Sequence, residues 1–550
     1  MKWLRRRPLP LQAEHKRGRS VRALLMLLLL GASMTVQAAK PAKPASAANS
    51  QSAAALAALP IEEAVDLPPD ASVPAAQRHS PAVEVKGAAS EAALSRTQAV
   101  IEQQIKDDKN SATAEEDPPH HGQRSAPALW FLRILAIILY VIVAFIMVYA
   151  VRHMAFTLNR LFGKQRHPYL DIETAEWPRV TVFIAAHNEE AVIADAMEAL
   201  LESDYPDGRM IIMPVNDRSS DGTREIIDQI AARRPDIIRP FHRTSGKPGK
   251  AAALKDATAM IDTDIFIVFD ADYVPGRGLL KQLVAPFFDP EVGAVMGRVV
   301  PLNAGTNMLT RLLDMERAGG YQVDQQARMN MKLVPQYGGT VGGIRVAALE
   351  SVGGWHDDVL AEDTDLTYRL LIGGWLTAYT NRSECYEEVP ESWPVRIRQL
   401  MRWTRGHNQA LARHVGRLLR TKGVPFREKS DGLLLLGTYA MSPFLLLGWL
   451  ITLILFYFDS VLPSPGFFLI LGLVCYSAMG NFAAFFEIGT ACYLDGSGNR
   501  LRILPFSIFG FIVSLVTISH ATILQFIIEP FRKTQNLHWD KTKRYRGQAK

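Results

Sequence analysis

Ile265-Phe266-Ile267-Val268-Phe269-Asp270-Ala271-Asp272 is a run of five apolar residues closed at once by two acids with an alanine between them. The run is too short for a buried helix, and it does not alternate. It therefore predicts a strand covered on both faces, as in the middle of a sheet flanked by helices. In such a sheet, ligands bind beyond the carboxyl ends of the strands, which is where Asp270 and Asp272 fall. Two carboxylates at i and i+2 suit a hard divalent cation, because Mg²⁺ or Mn²⁺ takes one or two carboxylates and completes its shell with water and phosphate oxygens. Asp-x-Asp also arises by chance; its place after a buried strand is what favours a site.

Further strands are predicted at Val180–Ala185, Ile211–Val215 and Ala294–Arg298, with helical patterns at Glu189–Glu202 and Arg224–Arg233. Strand and helix in alternation imply an α/β fold with a mainly parallel sheet. Each strand end carries a polar turn. Ala185-Ala186-His187-Asn188-Glu189-Glu190 follows the first, and Asn216-Asp217-Arg218-Ser219-Ser220-Asp221-Gly222-Thr223 the second. Both could hold a nucleobase, and both could simply cap helices. Ala361-Glu362-Asp363-Thr364-Asp365 offers a general base at a helix start, or again a cap. Gly246-Lys247-Pro248-Gly249-Lys250 is fit to approach phosphate but lacks the full P-loop pattern. In Gln399-Leu400-Met401-Arg402-Trp403, the Arg can bind phosphate and the Trp can stack on a sugar ring. The competing reading of that stretch is an interfacial basic helix with an anchoring Trp.

The 550 residues include 61 basic and 55 acidic side chains, a net charge of +6 with His neutral. Several apolar stretches reach the ~20 residues that a membrane helix needs. In a membrane protein, a small positive excess reflects cytosolic loops rather than a nucleic-acid surface, and no nucleic-acid-binding signature is present. Cys385, Cys475 and Cys492 exclude a disulfide scaffold and form no zinc pattern.

The expected organisation begins with a signal peptide or signal anchor over 1–38 and a disordered extracytoplasmic segment over 39–127. A transmembrane helix over 128–151 precedes a cytosolic domain over 152–390. Amphipathic helices at the membrane surface cover 391–430, about three apolar segments fill 431–530, and a basic tail covers 531–550. Three full spans would carry that tail outside, against the positive-inside rule. The stretch 466–492, with Gly480, Asn481 and Glu487, is the least lipid-like and is expected to lie partly against protein.

Taken in order, these signals resemble the processive, membrane-embedded glycosyltransferases of family two, with a GT-A fold. The group includes cellulose, hyaluronan, chitin and poly-N-acetylglucosamine synthases. The resemblance covers about 178–405 and the flanking spans. It is closest to the poly-N-acetylglucosamine branch through Gly249-Lys250-Ala251, Asp270-Ala271-Asp272 with Pro275, Gly339-Thr340, Gly353-Gly354-Trp355, Ala361-Glu362-Asp363 and Trp539-Asp540-Lys541-Thr542-Lys543-Arg544.

The resemblance implies that Ala185, His187 and Glu189 line the nucleotide pocket and that Asp217 holds the uracil. Lys250 would lie near the phosphates. Asp270 and Asp272 would bind the sugar and the metal, Asp272 being the main ligand. Asp363, beside Glu362, would be the general base, and Gln399, Arg402 and Trp403 would bind the diphosphate and the acceptor end. Departures from the family pattern are His187 where Tyr is usual, Asn216 for the first acid of an Asp pair, and Arg218 for a Gly.

The implied activity is an inverting polymerase using a UDP-sugar, UDP-N-acetylglucosamine before UDP-glucose, with Mg²⁺ or Mn²⁺. Its implied partners are the nucleotide-sugar donor, a growing glycan or lipid acceptor, membrane lipid and a small membrane subunit. The implied location is the bacterial inner membrane, multi-pass, with a cytosolic catalytic domain. A single-transfer glycolipid synthase and an inactive scaffold are the competing readings.

Overall fold

The computed structural model describes residue 103 and residues 126–166, 176–457 and 483–529. The expected signal segment, nearly all of 39–127, the stretch 466–482 and the basic tail with Trp539 lie outside the described residues.

Helix α1 (Ala126–Phe162) leads to β1 (Val180–Ala186), α2 (Ile193–Leu201), β2 (Met210–Asp217), α3 (Thr223–Arg233), β3 (Phe241–Arg243), α4 (Lys250–Thr258) and β4 (Ile265–Asp270). The second half of the sheet domain holds β5 (Val274–Pro275), β6 (Val292–Pro301), α5 (Met308–Ala318), β7 (Gly342–Arg345), α6 (Glu362–Ile372) and β8 (Leu376–Glu387). Helices α7 (Trp393–Arg420), α8 (Phe426–Gly437), α9 (Met441–Tyr457), α10 (Ala483–Leu494) and α11 (Ser507–Ile523) follow.

The eight strands form one sheet in the order β3-β2-β1-β4-β7-β6-β8-β5. β3, β2, β1 and β4 run parallel, as their unbroken apolar runs predict. β7 is antiparallel to both β4 and β6, and β5 is antiparallel to β8. The sheet is therefore mixed, which corrects the expectation of a mainly parallel one. The physical reason lies in the segment before β7. It arrives at the carboxyl edge of β4, so β7 must run back along β4. The short Gly342-Gly343-Ile344-Arg345 gave no strand signal because its glycines answer to packing. A Cβ on Gly343 would come within 2.7 Å of Ile267 and Phe287 side-chain atoms.

The strand residues alternate between two cores. Val182, Ile184, Ile267 and Phe269 pack with α2, α3 and the helix Leu279–Val284 on one face. Phe183, Phe266 and Val268 pack with Leu254 of α4, Leu366 and Leu370 of α6, and Trp355 on the other. This two-sided burial fixes the strand ends, and hence the polar turns, on one edge.

Among the described residues, two helical stretches, Leu129–Phe162 and Gly498–Ile528, are long and apolar enough to cross a membrane. α8 with α9, bent by 67°, makes a third if the pair counts as one. α1 runs as one helix from Ala126 to Phe162, past the apolar stretch. Beyond the apolar stretch, its Arg152 bonds Asp431 of α8 at 3.0 Å. The basic segment 393–420 is one continuous helix. Its inner face, including Arg396, Thr404, Asn408 and His414, is buried against protein. Asn408 Nδ2 donates to Thr522 Oγ1 of α11 at 3.0 Å.

Candidate active site

The first two strand-end turns are hydrogen-bonded to each other. The Asn188 N–H donates to Ser219 Oγ (2.8 Å), the Glu189 N–H to Thr223 Oγ1 (2.8 Å), and the Ser220 N–H to Asn188 Oδ1 (2.6 Å). His187 Nδ1 lies 2.7 Å from the Asp217 carbonyl oxygen and donates to it, since a carbonyl only accepts. Ala185 pairs in register with Asp270 on one side and Val215 on the other. Arg218 holds φ +56°, in the left-handed region where glycine is favoured. A side-chain-bearing residue at this angle bears backbone strain.

The Asp217 carboxylate is fully engaged within the protein. Arg243 Nη1 donates to Oδ1 at 2.7 Å, Arg218 Nε to Oδ1 at 3.0 Å, and the Gly249 N–H to Oδ2 at 3.0 Å. Burial opposes the charge, but the Arg218 and Gly249 hydrogen bonds and the Arg243 charge hold this carboxyl below its ordinary range. Asp217 thus anchors the turn that starts α4. Gly249 itself holds φ +116°, and the next residue is Lys250. Arg243, which no local sequence pattern marks, completes this anchor.

Lys250 Nζ bonds Asp270 Oδ1 at 2.5 Å. Burial pulls the Lys250 pKa down, yet the charges of Asp270, Glu362 and Asp363 raise it overall. The side chains from β4, α4 and the start of α6 therefore share one electrostatic neighbourhood. Asp272 is buried, two residues on from Asp270. Among the described residues, no three His, Cys, Asp or Glu side chains form a metal cage.

The segment before β7 joins the donor side to α6. Thr340 Oγ1 accepts the Asp270 N–H at 3.0 Å. Its neighbour Gly339, at φ +76°, leaves room where a Cβ would sit 3.1 Å from the Asp363 Cβ. Asp363 Oδ1 accepts the Thr364 N–H at 2.6 Å, while Oδ2 has no hydrogen-bond partner among the described residues. Burial and the like charge of Asp363 push the Glu362 carboxyl up to about 7. α7 packs tightly here, because a Cβ on Gly406 would lie 2.6 Å from that of Ala361. Asp365, 1% exposed, is held by Arg369 Nε (2.7 Å) within α6 and His414 Nε2 (2.8 Å) from α7.

On α7, two guanidinium groups lie near the Trp403 ring, Arg317 at 5.2 Å and Arg396 at 5.3 Å from its centroid. Arg317 is held by Glu387, which also accepts from Tyr273 Oη at 2.8 Å. Arg396 Nη1 donates to Gln399 Oε1 at 2.8 Å and Nη2 to Glu316 at 2.5 Å. Arg402 is half-buried and forms no hydrogen bond or ion pair among the described residues. Arg317 escapes the sequence because α5 meets α7 only in the tertiary structure, whereas Arg396 lies on α7 itself, seven residues before Trp403.

Residues 178–406 match the family model described as glycosyltransferase like family 2. This stretch is similar to family 2 glycosyltransferases. It is 34% identical over 250 residues to the probable glycosyltransferase YdaM of Bacillus subtilis, covering 45% of this chain and 59% of that protein. It is 29% identical over 269 residues to glucomannan 4-beta-mannosyltransferase 7 of Arabidopsis thaliana, covering 47% and 48%. It is 32% identical over 239 residues to the beta-monoglucosyldiacylglycerol synthase of a Synechocystis strain, covering 44% and 50%. The chain spans about half the length of the curated relatives it matches. Among solved structures, the mannosyltransferase PcManGT from Pyrobaculum calidifontis, in complex with GDP-Man and Mn²⁺, is similar at 20% identity with a TM-score of 0.48. That match covers 72% of this chain and 99% of that one.

Proposed function

We propose that the protein is an inverting, processive glycosyltransferase that builds a β-linked glycan from a UDP-sugar at the bacterial inner membrane and passes the product through its own helices. The observation that carries this reading is the joint at Gly339-Thr340. Thr340 holds the backbone of Asp270, Gly339 lies against Asp363, and Asp363 Oδ2 has no partner among the described residues.

In the proposed reaction, Asp363 Oδ2 takes the proton of the acceptor hydroxyl as that oxygen attacks the anomeric carbon. The bond from that carbon to the phosphate oxygen breaks, and its electron pair leaves with the nucleoside diphosphate. Arg402, which has no ion-pair partner among the described residues, offsets the charge that develops there. No protein nucleophile takes part, so the anomeric configuration inverts.

Asp270 and Asp272 fit a divalent ion of the Mg²⁺ or Mn²⁺ kind, since such ions need only one or two carboxylates when phosphates complete the shell. When bound, the ion supplies charge neutralisation at the diphosphate. Lys250, paired with Asp270, adds a second cation on the donor side. Ala185, His187, Glu189 and Asp217 shape the nucleotide side, with Asp217 acting through the turn it anchors.

In this reading α1 and the stretch 498–528 cross the membrane, the N-terminal segment is extracytoplasmic and the sheet domain is cytosolic. A small membrane subunit is a further proposed partner. Transfer of one sugar to a lipid is the second reading, supported by the relative named as a glucosyldiacylglycerol synthase.

The test is product analysis on purified protein in nanodiscs with Mg²⁺ or Mn²⁺. The labelled donors are UDP-N-acetylglucosamine, UDP-glucose and, because one relative is named a mannosyltransferase, GDP-mannose. Label retained as polymer supports the proposal. Label moving with lipid replaces it with the second reading, and no nucleotide release from any donor overturns both.

A further inference from the structure

His407 lies one helical turn beyond Trp403, on the face of α7 that meets the start of α6. Its Nδ1 is 3.0 Å from the Trp403 carbonyl oxygen. A carbonyl only accepts, so Nδ1 carries the proton and Nε2 presents a lone pair in the neutral ring. Nε2 faces Thr364 Oγ1 at 3.3 Å and Gln336 Nε2 at 3.3 Å. Gln336 Nε2 also donates to Thr364 Oγ1 at 3.1 Å. The hydroxyl of Thr364 has one proton and two acceptors in reach, His407 Nε2 and, at 3.4 Å, Asp363 Oδ1.

We infer that His407 is a positioning residue for the base: its Nε2 takes the Thr364 hydroxyl proton, leaving Asp363 Oδ1 with the Thr364 N–H as its one close donor. A hydroxyl donated to a carboxylate favours the charged form and makes it a weaker base. Drawing that donor away keeps Asp363 more basic and fixes the rotor beside it. The groups that bear on the ring are Asp363 from α6 and Tyr439, whose ring centroid is 4.5 Å away; Gln336 is uncharged. Burial lowers the pKa of His407 and the Asp363 charge opposes that shift, with burial prevailing, so the ring is neutral at neutral pH. Protonated, Nε2 would become a donor to Thr364 and would turn the hydroxyl onto Asp363.

The inference rests on the reading of Asp363 as the base. Its tests are separable from that reading, because one of them needs no turnover. In ¹⁵N-histidine NMR of the full chain in nanodiscs, the resonance lost in His407→Gln should report a neutral ring protonated at Nδ1 near neutral pH. An Nε2-protonated or cationic ring overturns the inference whatever the donor assay gives. In the transfer assay, His407→Leu should lower kcat by roughly 10- to 100-fold, the scale for a group that orients a catalytic one, with the donor KM little changed. His407→Gln, which restores an acceptor, should recover most of the loss and shift the acid limb of the pH profile. Thr364→Val, which removes the hydroxyl itself, should cost little, and in the double variant it should recover most of what His407→Leu alone loses. Near-normal turnover in His407→Leu, no rescue by Gln, or a double variant as slow as His407→Leu would overturn it. A wild type silent with every donor would instead count against the proposed function.

Discussion

The donor end and the acceptor end of this site are built in opposite ways. At the donor end, the polar groups are tied to one another. Asp217 is held by Arg243, Arg218 and Gly249, the 188–190 turn is laced to the 219–223 turn, and Lys250 is paired with Asp270. At the acceptor end, Asp363 Oδ2 and Arg402 have no partner among the described residues. A self-satisfied network of buried polar groups is rigid, because each unmade bond would be costly. Such a network suits a pocket that must hold the same nucleotide at every turnover. Open groups suit the side where bonds are made and broken, because their missing partners arrive only with the reacting atoms.

The sharpest way to break this contrast is Asp363→Asn. Its turnover should fall by about 10³- to 10⁴-fold, near the upper range for a positioned base, with nucleotide binding unchanged. Parallel turnover and nucleotide-binding titrations would check it, and near-normal turnover would remove Asp363 as the base. Next in size is Arg402→Ala, with an expected loss of about 10²- to 10³-fold in kcat and little change in donor KM. A rise in KM alone would place Arg402 in ground-state binding instead.

At the closed end, Asp217→Asn should act on stability and donor affinity together. Removing one partner of a buried pair costs about 3 kcal/mol. The carboxyl sits below its ordinary 3.8 in the fold. Its stabilisation is therefore complete above that value and is lost as pH falls through the lower, folded one. Unfolding midpoints of variant and wild type should differ at neutral pH and converge only below about pH 4. A gap independent of pH would mean that the charge is not what matters.

Smallest is Glu362→Gln. The carboxyl is pushed up to about 7 from 4.5, so the folded state loses stability relative to the unfolded one as pH rises through that window. The variant should match the wild type near pH 4 and exceed it above pH 7, by of order 1 kcal/mol. Melting curves at the two pH values would decide it, and equal stability throughout would show Glu362 to be relaxed by its surroundings.

The amphipathic pattern over 393–420 is legible as a helix, but it does not say what the apolar face meets. That face carries Thr404, Asn408 and His414 inward, and their partners Thr522 and Asp365 come from other elements. Gln399, Arg402 and Trp403 are likewise visible as a motif, yet the Arg317 guanidinium beside Trp403 is not. Arg317 lies on another helix, 86 residues earlier in the chain.

From the residues alone came β1, β2, β4 and β6, the helices α2 and α3, the apolar spans, and the acids at the ends of strands. All of these are local periodicities that a chain carries wherever it is placed. The reversed insertion of β7 came only with the tertiary structure, because its glycines are chosen by Ile267 and Phe287 rather than by any local pattern. The same holds for Arg243 closing on Asp217, Thr340 reaching Asp270, and His407 meeting Thr364. Each joins residues 26 to 70 positions apart, and such contacts exist only once the two cores have packed.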